Sequence, residues 1–189
     1  MLSLSALWVC TLVATVLVFV VSSVLHMMLP IHKGDYRKLP KETELLAAMR
    51  AHNVAPGTYS FPFPDSMKDM ASPEMIARYK QGPVGLLTVL PNTVPAIAKS
   101  LVQWLLYLVI VSIFVAYLAT INLAAKTAGS MDIFRFTSTA ALLAYAVPHM
   151  HESIWKGQSW IVTAKYLLDG VIYGLVTGVT FALLWPSGN

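Results

Sequence analysis

The sequence has little charge and almost no cysteine. Asp, Glu, Lys and Arg make up only 12% of its 189 residues, whereas soluble domains contain about 25% of them. The single cysteine, Cys10, cannot form an intrachain disulfide, so a disulfide-stabilised scaffold is excluded. The composition also excludes a disordered chain and an ordinary soluble enzyme, because both contain more polar residues than this chain has.

What the sequence has instead is long apolar runs. Hydrophobic residues make up 57% of the chain, and its mean hydropathy is +0.65. Residues 1–29 contain no Lys, Arg, Asp or Glu, and about 20 apolar residues are enough for a helix to cross a bilayer. A cleavable signal peptide would need a basic start and a shorter apolar core. We therefore predict an uncleaved membrane helix that ends before Pro30.

The C-terminal part, residues 94–189, is expected to form a three-helix transmembrane bundle. Residues 97–125 and 160–185 are long apolar segments. Residues 131–155 give a weaker signal, because this segment has charged ends and contains Pro148. A membrane helix tolerates proline where a neighbouring helix satisfies the freed carbonyl. The sequence therefore predicts an all-α membrane protein with four transmembrane helices.

Residues 30–93, between the first two spans, hold most of the charge and predict a small α+β insert. They contain 14 of the 22 charged residues, eight basic and six acidic. We predict a short helix over 41–52 and a second helix over 73–81, because both segments carry helical periodicity or helix-start signals. Residues 58–63 and 84–90 are predicted to pair as two strands.

The basic residues predict an orientation. Most of them lie in or beside the 30–93 loop, whereas the opposite side carries only Lys126 and Arg135. The positive-inside rule places this loop in the cytoplasm and both termini outside. The loop is either a docking face for a partner or, as we favour, a cap whose basic residues meet anionic lipid headgroups. Its excess of two positive charges is too small to indicate nucleic-acid binding.

Small residues recur along the last predicted span. Gly170, Gly174, Gly178 and Ala182 follow one another at four-residue intervals, so they share one face of a helix, in the manner of a glycine zipper. Such faces let membrane helices approach closely. We favour packing within the chain, but the pattern also fits packing against a second copy.

The same span carries Lys165, Asp169 and Tyr173 at four-residue intervals. Ionisable residues inside a membrane are costly and usually face protein or water. Because a very short loop joins the last two predicted spans, they are expected to be antiparallel neighbours, which puts several polar residues at one membrane depth. The predicted polar intramembrane cluster comprises His26, Lys99, His149, Glu152, Lys165, Asp169 and Tyr173.

Three interpretations of this cluster stay open. The favoured one is a buried network of ion pairs that fixes helix packing. The second is a proton or ion path that opens to the cytoplasm. The third is a metal or haem site that uses His26 and His149. No catalytic residue and no cofactor are predicted with the favoured interpretation.

Several short stretches resemble a family of small bacterial inner-membrane proteins that has no assigned function. These are Leu29-Pro30-Ile31-His32-Lys33, Ala55-Pro56-Gly57, Gln81-Gly82-Pro83-Val84-Gly85 and Trp155-Lys156-Gly157-Gln158-Ser159-Trp160, together with Lys165 and Asp169-Gly170. The resemblance implies a bacterial protein with four spans and a cytosolic insert, so that both termini are periplasmic. It supplies no catalytic residue.

The sequence leads to three functional hypotheses. The leading one is a non-enzymatic accessory or assembly subunit that associates with other membrane proteins or with a second copy. It rests on small size, the glycine face and the lack of a catalytic constellation. The alternatives are a small transporter or proton pathway through the Lys165–Asp169 layer, and a metal- or haem-binding membrane enzyme.

Overall fold

The computed structural model describes residues 3–123 and 128–186, which form mainly helices. They divide into two compact units, one made of Met1–Asp35 with Ala96–Asn189 and the other of Tyr36–Pro95. In chain order the helices are α1 (Trp8–Ser23), α2 (Glu42–Ala51), α3 (Pro73–Gln81), α4 (Ile97–Asn122), α5 (Ser130–Tyr145), α6 (Met150–Lys156) and α7 (Trp160–Leu184), and the strands are β1 (Gly57–Phe61) and β2 (Gly85–Val89).

Three helical stretches of the first unit are long and apolar enough to cross a membrane. They are Leu4–Met28, which contains α1, and the helices α4 and α7. The predicted helical fold is therefore confirmed, with three candidate membrane spans among the described residues. The fourth predicted span stays a prediction.

The fourth predicted span, residues 131–155, is divided at Pro148. Helix α5 has 16 residues, which corresponds to about 24 Å of helix and is shorter than a hydrocarbon core of about 30 Å. A 3₁₀ turn, Val147–His149, and the short helix α6 follow it. Proline cannot donate to the carbonyl four residues earlier, and the carbonyl of Ala144 accepts a hydrogen bond of 3.0 Å from the Tyr107 hydroxyl of α4 instead.

The glycine face of α7 packs against α5 of the same chain. A Cβ atom on Gly170 would lie 2.6 Å from the Cα of Ala146, and one on Gly178 would lie 2.6 Å from the Cβ of Ser138. A Cβ atom on Gly174 would lie 3.1 Å from the carbonyl oxygen of Ser138. Such contacts are possible only because glycine has no side chain, so these residues bring the two helices together.

The interior of this unit is mostly apolar. Leu7, Val18, Leu108, Val115 and Phe181 are among its fully buried side chains, and they come from the first candidate span, α4 and α7. Several of the buried threonine hydroxyls bond within their own helix. Thr177, for example, donates to the carbonyl oxygen of Tyr173 one turn earlier on α7.

The insert unit has the predicted elements. Strands β1 and β2 pair antiparallel, with Thr58 opposite Thr88 and Tyr59 opposite Leu87. The Ser72 hydroxyl accepts a hydrogen bond of 3.2 Å from the backbone N–H of Met75 and so caps α3. The predicted helices and the predicted strand pairing in this segment are therefore confirmed.

Replacing Gly178 by Ala should lower the stability of the bundle. The added methyl group has no room against Ser138, and overpacking of this kind typically costs about 1–3 kcal/mol. The free energy of unfolding in detergent micelles, followed by circular dichroism, measures the effect. Gly129→Ala is the control, because its Cβ would lie 3.5 Å from the nearest atom, an ordinary contact. Equal stability of the two variants would contradict the close packing of α5 and α7.

Candidate metal centre

The first candidate span ends in an irregular segment. After α1 the chain forms a π-helical turn, Val24–Met28, and then a 3₁₀ turn, Pro30–His32. Leu29 between them is extended, with φ −92° and ψ 142°, which is the conformation that a following proline favours. This break brings the His32 ring over the His26 ring, with centroids 4.2 Å apart and an interplanar angle of 18°.

Both imidazoles lie against a buried carboxylate. Asp169 is in α7, and its side chain is only 3% exposed. Its Oδ2 atom lies 3.4 Å from His26 Nε2 and 3.0 Å from His32 Nε2. The structure therefore brings together three potential ligand atoms, all within 4.8 Å of one another.

The contact between His32 Nε2 and Asp169 Oδ2 is not a hydrogen bond. Within the described ranges 3–123 and 128–186, neither Asp169 Oδ2 nor His32 Nε2 has a hydrogen-bond partner. The two atoms lie 3.0 Å apart without forming a hydrogen bond. A tetrahedral metal with bonds of about 2.0–2.1 Å holds its ligand atoms about 3.3 Å apart. The observed separations thus suit ligands that share an ion.

A second carboxylate orients His32. Asp35 Oδ2 lies 2.7 Å from His32 Nδ1, and because a carboxylate only accepts, Nδ1 carries the proton. The lone pair of a neutral imidazole is then on Nε2, the atom that faces Asp169. Metal-binding histidines commonly donate their other N–H to a carboxylate in this way.

Asp35 is in turn held by Lys165 of α7. The Lys165 ammonium donates a hydrogen bond of 2.5 Å to Oδ1 of Asp35. The Asp35 side chain is only 2% exposed. Burial alone would raise the pKa of the Asp35 carboxyl, but the hydrogen bonds from Lys165 and His32 and the charge of Lys165 hold its pKa below the usual value. Asp35 is therefore an anion that links the lysine to the histidine.

The structure brings together some of the residues that the sequence grouped and not others. His26 meets Asp169 directly, and Lys165 joins them through Asp35 and His32. The His149 ring stacks on Tyr166, with centroids 5.0 Å apart, and is not one of the three converging ligands. The hypothesis of a metal site therefore gains His32 and Asp169 as candidate ligands, but no support for His149.

The remaining members of the predicted cluster have other surroundings. Lys99 is exposed in the first turn of α4. Glu152 pairs with Lys156 at 2.8 Å, not with Lys165. Tyr173 packs edge-on against Tyr145, with ring centroids 5.8 Å apart. A shared membrane depth therefore does not by itself bring these residues to the site.

Sequence reasoning missed His32 and Asp35. The available signal was their three-residue spacing directly after Pro30, which puts an imidazole beside a carboxylate in one turn of chain. Nothing in the sequence indicated that the chain turns back over His26 after the proline. That reversal is what places the pair beside α7.

A cavity of about 460 Å³ adjoins the triad. His26 and Asp169 form part of its wall, and His149 and Tyr166 lie beside them. Much of the rest of the lining is aromatic, with Trp104, Tyr107, Tyr145 and Tyr173. Two of the three candidate ligands therefore border a space far larger than a single water molecule, whose share of liquid volume is about 30 Å³.

Comparison with known protein families, curated proteins and solved structures finds no match to this chain. Its function is therefore argued from the geometry of the site.

Replacing Lys165 by Ala should destabilise the protein more than replacing Lys156 by Ala. Both changes break a lysine–carboxylate pair, at 2.5 Å with Asp35 and at 2.8 Å with Glu152. Leaving a buried carboxylate without its cation typically costs about 3–5 kcal/mol, whereas exposed pairs contribute about 0–1 kcal/mol. Because Lys165 is itself 27% exposed and His32 still contacts Asp35, we expect about 3 kcal/mol. Unfolding in detergent measures both values, and equal losses would contradict a buried ion pair.

Proposed function

We propose that this chain is an integral membrane metalloprotein with the capacity of a metal-dependent enzyme. His26, His32 and Asp169 would bind one divalent transition-metal ion at the C-terminal end of the first span. Two imidazole nitrogens and one carboxylate oxygen are the protein ligands of many catalytic zinc sites, and the same set binds Fe²⁺ in other enzymes. The metal content of the protein decides between these ions.

The observation that carries this proposal is the convergence of two imidazole nitrogens on one buried carboxylate oxygen. Asp169 Oδ2 and His32 Nε2 are buried, 3.0 Å apart and not hydrogen-bonded. In a purely structural ion pair the imidazole N–H would point along the line to the oxygen. The Asp35 carboxylate on the other side of His32 supports the same conclusion, because it fixes the tautomer that a metal requires.

The arrangement favours a metal over haem. The His26 and His32 rings are stacked 4.2 Å apart and nearly parallel. Two axial ligands of a haem lie on opposite faces of its plane, so these two rings cannot serve one haem together. A small ion beside Asp169 would be bound by both Nε2 atoms once the stacked rings tilt toward each other, because each Nε2 lone pair lies in the plane of its ring.

Three protein ligands leave a coordination position open. In structural zinc sites four protein ligands close the shell, whereas catalytic sites keep a position for water or substrate. An ion with an open position can activate a bound water or polarise a carbonyl or phosphoryl oxygen. The adjoining cavity gives such a molecule room beside His26 and Asp169.

The membrane arrangement proposed with this function keeps the four predicted spans. Residues 131–155 would cross as α5, the 3₁₀ turn and α6 together. The basic residues around the insert support a cytoplasmic location for residues 30–93 and periplasmic termini, in a bacterial inner membrane. The metal site would then lie near the cytoplasmic surface.

The accessory-subunit function expected from the sequence stays a hypothesis with less support. One of its three arguments is a glycine face suited to close helix contact, and Gly170 and Gly178 use that face to pack against α5. The transporter hypothesis rested on the Lys165–Asp169 layer, but Lys165 is paired with Asp35. Association with other subunits or with a second copy is compatible with a metal site and is a separate question.

The metal content of the protein purified in mild detergent tests the proposal. We expect about one zinc or iron ion per chain, because the three ligands form a single site. His32→Ala should lose the metal, and His149→Ala should keep it, since His149 lines the same cavity without belonging to the triad. The absence of metal from the wild-type protein even after incubation with Zn²⁺ or Fe²⁺, or equal metal in the two variants, would overturn the proposal.

Accessibility labelling tests the proposed topology. In a Cys10→Ser background, the variants Ser66→Cys, Ser130→Cys and Ser159→Cys each place one thiol at an exposed position. If residues 131–155 cross, a membrane-impermeant maleimide should label Ser130→Cys from the periplasm and the other two only from the cytoplasm. Labelling of Ser130→Cys and Ser159→Cys from the same side would contradict the fourth span.

A further inference from the structure

The cavity beside the triad has two kinds of wall. One part carries the ligand side chains of His26 and Asp169. The rest is dominated by aromatic rings, among them Trp104 and Tyr107. At about 460 Å³ the cavity is within the range of about 300–1,000 Å³ that is usual for small-molecule sites. A molecule that fills it has to be polar at one end and apolar at the other.

The aromatic wall is held in place by its own contacts. The Trp104 indole donates a hydrogen bond of 2.9 Å to the Ser22 hydroxyl, and its ring stacks on Tyr107 with centroids 5.3 Å apart. Tyr107 in turn bonds to the carbonyl oxygen of Ala144. The rings are therefore positioned before any ligand enters, which lowers the entropic cost of binding.

One side of the cavity lies at the ends of the candidate spans. Its lining includes Met27 at the end of the first span, Leu101 near the start of α4 and Tyr166 near the start of α7. Span ends lie at the boundary between headgroups and hydrocarbon in a bilayer. Met27 is 70% exposed, so an apolar side chain lies beside the cavity on the outer surface of the bundle. A membrane lipid can therefore reach the cavity without leaving the bilayer.

The charge of the site favours an anionic head. Lys165 is neutralised by Asp35, so within the triad the charges are those of the ion and of Asp169. A divalent ion with one carboxylate ligand keeps one net positive charge. An anionic oxygen is therefore the natural occupant of the open coordination position.

We propose that the cavity binds an anionic lipid, with a phosphate oxygen of its head on the metal and part of its chain against Trp104 and Tyr107. This inference rests on the proposed metal site, and it names the class of molecule that the site would take. The same phosphate chemistry is available from free phosphate, but free phosphate leaves the aromatic wall uncovered. Because chain burial adds to the binding free energy, the lipid should bind much more tightly.

The test uses the full-length protein in detergent with cobalt in place of the native metal, because the visible spectrum of Co²⁺ changes with its ligands. Phosphatidic acid, phosphatidylcholine with the same chains, and inorganic phosphate are titrated separately. We expect phosphatidic acid to change the cobalt spectrum and to bind at least tenfold more tightly than either of the others. Equal binding of inorganic phosphate would mean that the cavity contributes nothing, and would overturn the inference.

Two variants test the aromatic wall. Trp104→Ala removes part of it, and Leu101→Trp fills part of the cavity with a bulky ring. Each should weaken the binding of phosphatidic acid at least tenfold while the protein still holds one cobalt ion, which shows that the site is intact. Trp155→Ala is the control, because Trp155 is 74% exposed and does not line the cavity.

The outcomes separate the two proposals. A protein that binds no metal refutes the proposed function itself. A protein that binds cobalt, but whose spectrum does not respond to phosphatidic acid, keeps the metal site and refutes the lipid. Unchanged lipid affinity in both cobalt-loaded wall variants would likewise refute the lipid site.

Discussion

The site depends on one constraint, which is that the Asp169 carboxylate lies buried in an apolar membrane helix. Taking a carboxylate out of water costs several kcal/mol unless opposite charge or good hydrogen bonds compensate it. Only 3% of the Asp169 side chain is exposed, so water does not compensate this cost. What meets its Oδ2 is a pair of imidazole rings from the end of the first span. The break at Pro30 and the Asp35–Lys165 pair can be understood as the means of holding His32 there.

The packing of α7 explains how such a site can be held accurately. Gly170 follows Asp169 directly and lies against Ala146, with no room for a side chain between them. The face of α7 next to the ligand is therefore fixed on α5 by close backbone contact. Sites built on rigid elements keep their geometry better than sites on loops. His32, by contrast, lies in a short turn, and it is Asp35 and Lys165 that restrain it.

Sequence patterns predicted the elements well and the site only in part. Caps and turn residues located α3 and the strand pair, and the cost of an ionisable residue in a membrane drew attention to Asp169 and His26. Membrane depth grouped Lys99 and Glu152 with them, but depth does not fix the direction in which a helix face points. His32 and Asp35 were missed for a different reason. They follow a proline, and a sequence does not give the direction of the chain after such a break.

The central claim is that two imidazoles and one carboxylate share a metal ion with an open position. X-ray absorption spectroscopy at the metal edge of the purified protein tests this claim most directly, because it identifies the ligand atoms themselves. We expect the metal to be bound by two imidazole nitrogens, one or two carboxylate oxygens and at least one further light atom, and by no sulfur. Sulfur among the coordinated atoms, or a spectrum without imidazole scattering, would contradict the proposed set of ligands.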